Sequence, residues 1–475
     1  MPPMSIQSRQ TLTDFADWIV ERDEHASSHL HLLGEAEAAL AGECDPAADG
    51  RLVLADKLDR WRYHLLNQGL QTLAPTDRAL IDVLDLTANE LAGRPARAPR
   101  SPRAAIQVVS PSETSWPQTV DFELTELEDS LRSDVPLEEL TRLATSLTVE
   151  HFSGPHQCEP RRSPAAANEL PGQPRRKGAR QMVLYAPLYL SNYCTNHCLY
   201  CGFRYPNELQ REHLSKQEAL SQAQVLWKRG IRRLVLVAGD FPRLTTTEYF
   251  AEIIRDLKAA GFDVTIELAA QSTASYAELV LAGASGVTLY QETYDERLYA
   301  RYHRRGSKKA FDWRLEAPER AAEAGMARLG LGVLLGLSDP AQDVFAMVRH
   351  GLYLQTRFPD VRLAFSLPRI HKAPDGFESS FRVDDETFIR LYCFLRLAFP
   401  QAHLVLSTRE SPALRHRLAS ICITQMSAGS STAPGGYQTE QTDQSHRQQF
   451  PVTDDRSPAE VEQGLRDIGF DVCWK

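Results

Sequence analysis

The sequence predicts an α/β protein: a closed (β/α)8, TIM-type barrel with an added N-terminal helical region. Three observations predict it. From residue 181 onward, short apolar runs rich in β-branched residues recur eight times. Helix-patterned segments lie between them. Before residue 92, apolar residues instead follow a three-to-four spacing. Strand–helix alternation implies parallel strands joined by crossover helices, and eight units suffice to close a barrel. An open doubly wound sheet is the other topology compatible with the same alternation.

Residues 1–91 read as helical, with amphipathic segments at Leu12–Glu21, Arg51–Gln68 and Thr76–Leu91. The Pro- and Arg-rich stretch 93–104 reads as a linker, and 120–152 as a second helical region. A polar break, GPHQCEPRRSPAAANELPGQPRRKGAR, follows and is expected to be mobile. The eight strand-like runs are MVLYAPLYL, RRLVLVAG, DVTIELA, GVTLYQE, LGLGVLLGL, RLAFSLPR, HLVLST and ICITQMSAG. Helix-like segments between them include Lys216–Arg229, Thr246–Ala260, Ser275–Ala282, Arg314–Ala324, Ala341–Gln355 and Asp385–Ala398, and Ser457–Ile468 follows the last run. The expected organisation is a helical extension over 1–115, offered as a partner-docking module, and a helical lead-in with a linker over 116–180. The barrel then spans 181–430, with a C-terminal extension over 431–475.

The formal net charge of −9 and pI near 5.9 argue against nucleic acid or an anionic membrane as the main partner. No apolar run approaches the roughly 20 residues that cross a bilayer. The N-terminus lacks a basic start followed by an apolar core, so a cytoplasmic protein is expected. Of the eight cysteines, three cluster within eight residues, while Cys44, Cys158, Cys393, Cys422 and Cys473 are scattered. The scattered five read as buried or incidental thiols.

The clustered three form Cys194-x3-Cys198-x2-Cys201, directly after the first strand and so at the carboxyl end of the sheet. Thiolates are the soft ligands of iron–sulfur clusters. Three on a tight loop can hold three irons of a cubane and leave the fourth open. Zinc would want a fourth Cys or His at comparable spacing, and His197, between two ligands, is awkwardly placed for it.

The stretch LYAPLYLSNYCTNHCLYCGFRYPN resembles the radical S-adenosylmethionine (SAM) superfamily, as do YQETYDE, STRESP, MSAGSSTAPGGY and FPVTDDRSP. It is most similar to the aromatic amino acid lyase group. That group contains the 2-iminoacetate synthase of thiamine biosynthesis, the tyrosine lyase of hydrogenase maturation and the tryptophan lyase that makes 3-methyl-2-indolic acid. The resemblance spans residues 120–475. It implies a [4Fe–4S] cluster on Cys194, Cys198 and Cys201, SAM on the open iron, and an electron donor such as flavodoxin or ferredoxin.

The resemblance also implies site residues, which fall at strand ends, where barrel enzymes keep their chemistry. Gly239 and Asp240 after the second strand match the turn that receives the SAM ammonium, with Asp in place of the more usual Glu. Gln291 and Glu292 after the fourth match the ribose contacts, and Arg314 the arginine that pairs with the SAM carboxylate. Tyr200 would lie by the adenine or simply pack. A turn, or a surface salt bridge, is the plainer reading of these residues. For the substrate, Arg409 would grip the amino acid carboxylate, with Ser427 beside it and Tyr189 near the amino group. Arg369 is a second candidate. The implied reaction is tyrosine Cα–Cβ cleavage to 2-iminoacetate (dehydroglycine) and p-cresol. A related natural-product enzyme acting on tryptophan, tyrosine or a peptide-bound aromatic residue is the alternative. A non-catalytic iron–sulfur sensor or electron carrier is the reading from another class.

Overall fold

The computed structural model describes residues 135–153, 179–371, 373, 376–437 and 446–474, with single helical positions between Leu32 and Thr87. Those early positions include buried Leu32, Ala36 and Ala39, then Leu54, Leu58 and Trp61, then Leu84 and Thr87, spaced by three or four. The polar break after residue 153, and most of the stretch offered as a docking module, lie outside the described residues.

The strands are β1 (Arg180–Ser191), β2 (Arg233–Ala238), β3 (Asp263–Glu267), β4 (Gly286–Glu292), β5 (Arg328–Val333), β6 (Arg362–Ser366), β7 (His403–Leu406) and β8 (Gln425–Ser427). Each falls inside its expected apolar run or overlaps it. Every neighbouring pair is parallel, and β1 pairs with both β2 and β8, so the sheet closes. The open-sheet alternative is thereby excluded. A further strand, β9 (Phe470–Cys473), was not expected. It pairs with the start of β1, where Val183 has Gln425 on one edge and Cys473 on the other. The C-terminal extension therefore returns to the barrel. Cys473 is a disulfide cysteine, which corrects its reading as an incidental thiol; Cys393 and Cys422 are buried and free. Spacing along the chain could not reveal that, because a disulfide depends on where distant segments meet.

The helices are α1 (Leu137–Phe152), α2 (Lys216–Lys228), α3 (Thr247–Ala259), α4 (Thr273–Ala282), α5 (Glu296–Tyr302), α6 (Phe311–Leu315), α7 (Ala317–Glu323), α8 (Pro340–Arg357), α9 (Asp385–Ala398), α10 (Pro412–Ile421) and α11 (Pro458–Asp467). The expected single helix over 314–324 is two helices, α6 and α7. Pro318 has no N–H to give the carbonyl of Arg314, so the first helix stops there. All but α1, α6 and α7 start at a side-chain cap, with full capping boxes at Ser215/Glu218 and Ser457/Glu460. α1 packs on α9 and α10.

Strand alternation sorts the side chains into two layers. On β1, Leu184, Ala186, Leu188 and Leu190 join the core between sheet and helices. Tyr185, Pro187 and Tyr189 face the barrel interior and line its cavity. Fully burying a leucine contributes about 1.5–3 kcal/mol, so this outer layer carries most of the fold's stability. The inner layer is free to hold polar groups.

Candidate functional site at the carboxyl end of the barrel

β1 ends at Ser191, and the three-cysteine loop then crosses the barrel mouth. Three neighbours fix it. Asn196 Nδ2 donates to Asp240 Oδ2 at 3.0 Å, and its Oδ1 accepts from the Lys308 N–H at 2.9 Å. The Thr195 N–H donates to the Asp240 carbonyl at 2.8 Å. The Arg211 guanidinium donates to the carbonyls of Asn192, Phe203, Arg204 and Asn207, tying the loop from behind. Glycine is required at 239, because a Cβ there would stand 2.3 Å from the Tyr193 carbonyl oxygen. Only a bare backbone lets the end of β2 approach the loop so closely.

Cys194, Cys198 and Cys201 all line one cavity. Burial first, then Asp240 and Cys201, push the Cys194 thiol up to about 11. Among the described residues, no three His, Cys, Asp or Glu side chains gather closely enough for one metal ion. The lining of that cavity holds these three cysteines and no fourth Cys or His, a donor set that suits a [4Fe–4S] cluster carried on three thiolates rather than a tetrahedral zinc.

The cavity has two chambers. The one beside the cysteines has a volume of about 110 Å³ and is lined by Gly239, Asp240, Glu292 and Arg314, among others. Burial raises the Asp240 carboxyl, which the Asn196 hydrogen bond partly offsets. Glu292 closes β4 at a bulge with φ of 75°, and its Oε1 lies 2.5 Å from Lys308 Nζ and 3.5 Å from Arg314. Arg314 Nε donates to the Tyr290 carbonyl at 2.6 Å. Gln291 is buried but lines neither chamber. Strand alternation turns it away while Tyr290 and Glu292 face in.

The second chamber has a volume of about 120 Å³ and holds Tyr189, Tyr200, Arg409 and Ser427. The Tyr189 hydroxyl donates to Gln449 Oε1 at 2.7 Å. Tyr200 donates to His303 Nε2 at 2.7 Å, since His303 Nδ1 faces the Tyr299 carbonyl and must carry the proton. Burial keeps His303 well below its ordinary value, and so neutral. The Arg409 guanidinium stacks 3.4 Å over the Phe450 ring and has no ion pair with a described residue. Arg369, the second carboxylate candidate, lines neither chamber. It is spent on Glu410 Oε1 at 3.0 Å, Asp385 at 2.9 Å and the Val383 carbonyl at 3.1 Å. Its alignment at a strand end does not bring it to the cavity.

Several residues here were not expected. Glu267, at the end of β3, lines both chambers, and its carboxylate has no hydrogen bond or ion pair with a described residue. Burial, then the Glu292 charge, push it up to about 7, while Arg409, Lys308 and Arg314 pull it down. An acid closing the run DVTIE carried the same signal as Asp240 and Glu292. Gln449 and Phe450 belong to the returning chain, whose Gln449 carbonyl accepts from the Gly202 N–H at 3.2 Å. A buried Asp454, ion-paired with Arg415 and Arg456, anchors that chain. Nothing local marks Asn196, Arg211 or Gln449.

The Radical SAM superfamily model matches residues 188–349, and the Biotin and Thiamin Synthesis associated domain matches residues 366–471. Closed parallel barrel and three-cysteine loop are thus those of a radical SAM enzyme, a class that uses a [4Fe–4S] cluster and SAM. The 2-iminoacetate synthase of Escherichia coli (strain K12) is 36% identical over 302 residues, which is 63% of this chain and 79% of that protein. The FeFe-hydrogenase maturase HydG from Carboxydothermus hydrogenoformans aligns with a TM-score of 0.64 at 28% identity, over 90% of this chain and 85% of that one. Methylornithine synthase (PylB) shares the fold, with a TM-score of 0.55 at 20% identity over 74% of this chain and 94% of that one. The chain belongs to the radical SAM superfamily and, within it, to the family of the 2-iminoacetate synthases. No described helix is long and apolar enough to cross a membrane.

Proposed function

We propose that the protein is a carbon–carbon lyase acting on a free aromatic amino acid, with tyrosine as substrate and 2-iminoacetate and p-cresol as products. The observation that carries this reading is a pair of opposite charges, Arg409 and Glu267, that line the second chamber and make no ion pair with a described residue. A zwitterion is the ligand that satisfies both. The Escherichia coli relative, a 2-iminoacetate synthase, supports the choice of reaction.

Cys194, Cys198 and Cys201 hold the cluster, while Gly239 and Asp240 take the SAM ammonium, Arg314 its carboxylate and Glu292 its ribose. When bound there, the cluster and SAM would supply one-electron radical chemistry. Arg409 fixes the substrate carboxylate in a charge-assisted clamp, with Ser427 beside it. Glu267 receives the substrate ammonium and accepts one proton on its carboxylate, leaving a neutral amine with a hydrogen open to abstraction. Tyr189, held by Gln449, flanks that amine. Phe450 and the returning chain keep water out. The electron donor is a flavodoxin or ferredoxin, and the enzyme works in the cytoplasm.

Anaerobic reconstitution, followed by SAM, dithionite and each aromatic amino acid, tests this. Mass spectrometry should find 5′-deoxyadenosine, p-cresol and glyoxylate with tyrosine. An indole product with tryptophan would transfer the reading to a natural-product lyase. No 5′-deoxyadenosine with any aromatic amino acid would leave a non-catalytic iron–sulfur protein.

A further inference from the structure

Gln449 lines both chambers of the cavity. Its side-chain amide makes two hydrogen bonds. Nε2 donates to Cys201 Sγ at 3.8 Å, and Oε1 accepts from the Tyr189 hydroxyl at 2.7 Å. A cysteine that ligates iron is a thiolate and can only accept, so the amide must turn its nitrogen to the sulfur and its oxygen to Tyr189. The backbone around this amide is fixed at several points. The Gln449 N–H donates to the Thr432 carbonyl at 3.0 Å, and its carbonyl accepts from the Gly202 N–H at 3.2 Å. A Cβ at Gly202, the residue after the third cysteine, would stand 2.4 Å from that carbonyl oxygen, so the contact needs a bare backbone. Neighbouring carbonyls are held too, Arg447 by Asn192 Nδ2 at 3.3 Å and Phe450 by the Thr432 hydroxyl at 2.7 Å. The Cys194 sulfur is served from inside the loop, by the Asn196 N–H at 3.4 Å. The Cys201 sulfur is served from 248 residues away.

We propose that Gln449 is a positioning residue that raises the reduction potential of the cluster through its N–H···S bond to Cys201, and that the Tyr189 hydroxyl strengthens this bond. Reduction adds one electron, with no covalent bond made or broken, and part of the added negative charge falls on the ligating sulfurs. An N–H aimed at such a sulfur stabilises the reduced form more than the oxidised one, which raises the potential. The Tyr189 O–H polarises the Gln449 carbonyl, and that makes the amide N–H a stronger donor to the sulfur. Tyr189 stands in the second chamber, so the row Tyr189–Gln449–Cys201 joins that chamber to a cluster ligand. An amide that merely held Tyr189 in place would leave the potential unmoved. The inference rests on the cluster and not on the lyase reading.

The experiment uses the full chain with its reconstituted cluster, poised anaerobically at a series of potentials without SAM or amino acid. Electron paramagnetic resonance counts the reduced cluster, and iron and sulfide analysis confirms loading. Gln449→Met keeps the length of the side chain and removes the N–H. Its equilibrium constant for reduction should fall about tenfold, the worth of one hydrogen bond to a charged group, or about 59 mV for a one-electron couple. Gln449→Asn keeps an amide but withdraws it from the sulfur by one methylene. It should fall by a similar factor, and it covers the case in which the methionine variant does not take up the cluster. Tyr189→Phe leaves the N–H in place without its polarising partner, so a smaller fall, about twofold, is expected. A wild-type or higher potential in the loaded Gln449 variants overturns the proposal. So does a loss of cluster content in which the remaining cluster keeps the wild-type potential, the mark of a purely structural amide. An unmoved potential in Tyr189→Phe strikes out the part assigned to Tyr189. A protein with the expected potentials that cleaves no aromatic amino acid would sink the lyase reading alone.

Discussion

On the cysteine side of the cavity the polar groups already hold one another. Asn196 joins Asp240 to the Lys308 turn, Glu292 carries Lys308 and Arg314, and Arg211 ties four carbonyls of the loop. In the second chamber Arg409 stacks on Phe450 and Glu267 lines the boundary with the first, and neither makes an ion pair with a described residue. Paired groups keep their geometry whether or not a ligand is bound, which suits a cofactor that must always sit alike. Buried charges without an ion pair cost free energy until a complementary ligand arrives. The first chamber is built to position, and the second is left unsatisfied in order to select.

The hardest test of that contrast lies on the positioning side. Cys201→Ser should abolish the cluster, seen as loss of its visible absorbance, and with it all 5′-deoxyadenosine formation. Retention of a full cluster would break the account at its base. On the selecting side, Arg409→Met should lower kcat/KM for tyrosine about 1000-fold, while SAM affinity, read by calorimetry, changes little. Equal losses for both ligands would merge the two chambers into one.

Glu267→Gln should lower kcat on the order of 100-fold and change the pH profile. In wild type the carboxylate must be ionised to accept the ammonium proton, so activity should fall as pH drops below about 7. The variant should lose that limb and recover as rising pH supplies free amine. A wild-type profile in the variant would remove Glu267 from the reaction. The smallest catalytic effect is expected at Arg369→Met, with KM for tyrosine within about twofold of wild type because the native guanidinium never reaches the chamber. Its cost should appear in stability, about 3 kcal/mol by denaturant unfolding, since Glu410 is left buried without its main partner.

Arg369 and Arg409 mark how far the sequence could be read. Both stand after strands of the barrel, in polar clusters of similar composition, and both were legible as carboxylate clamps. A shift of one residue along a strand end reverses which side of the sheet a side chain meets, and no local pattern gives that phase once regular structure stops. Gln291 and Glu292 differ in the same way. Glu267 was legible in principle, as an acid closing an apolar run, but short strands ending in an acid are common.

The sequence alone determined the class of fold and the cluster loop. Strand–helix alternation is set by periodicities of two and 3.6 residues, and a three-cysteine loop is complete within eight residues. Tertiary structure alone decided which strand-end groups face each other, because those meetings join distant parts of the chain. Gln449 reaches Tyr189 across 260 residues and Arg415 reaches Asp454 across 39. Such pairs depend on barrel closure and on the returning C-terminal chain, and closure is a property of the whole sheet rather than of any segment in it.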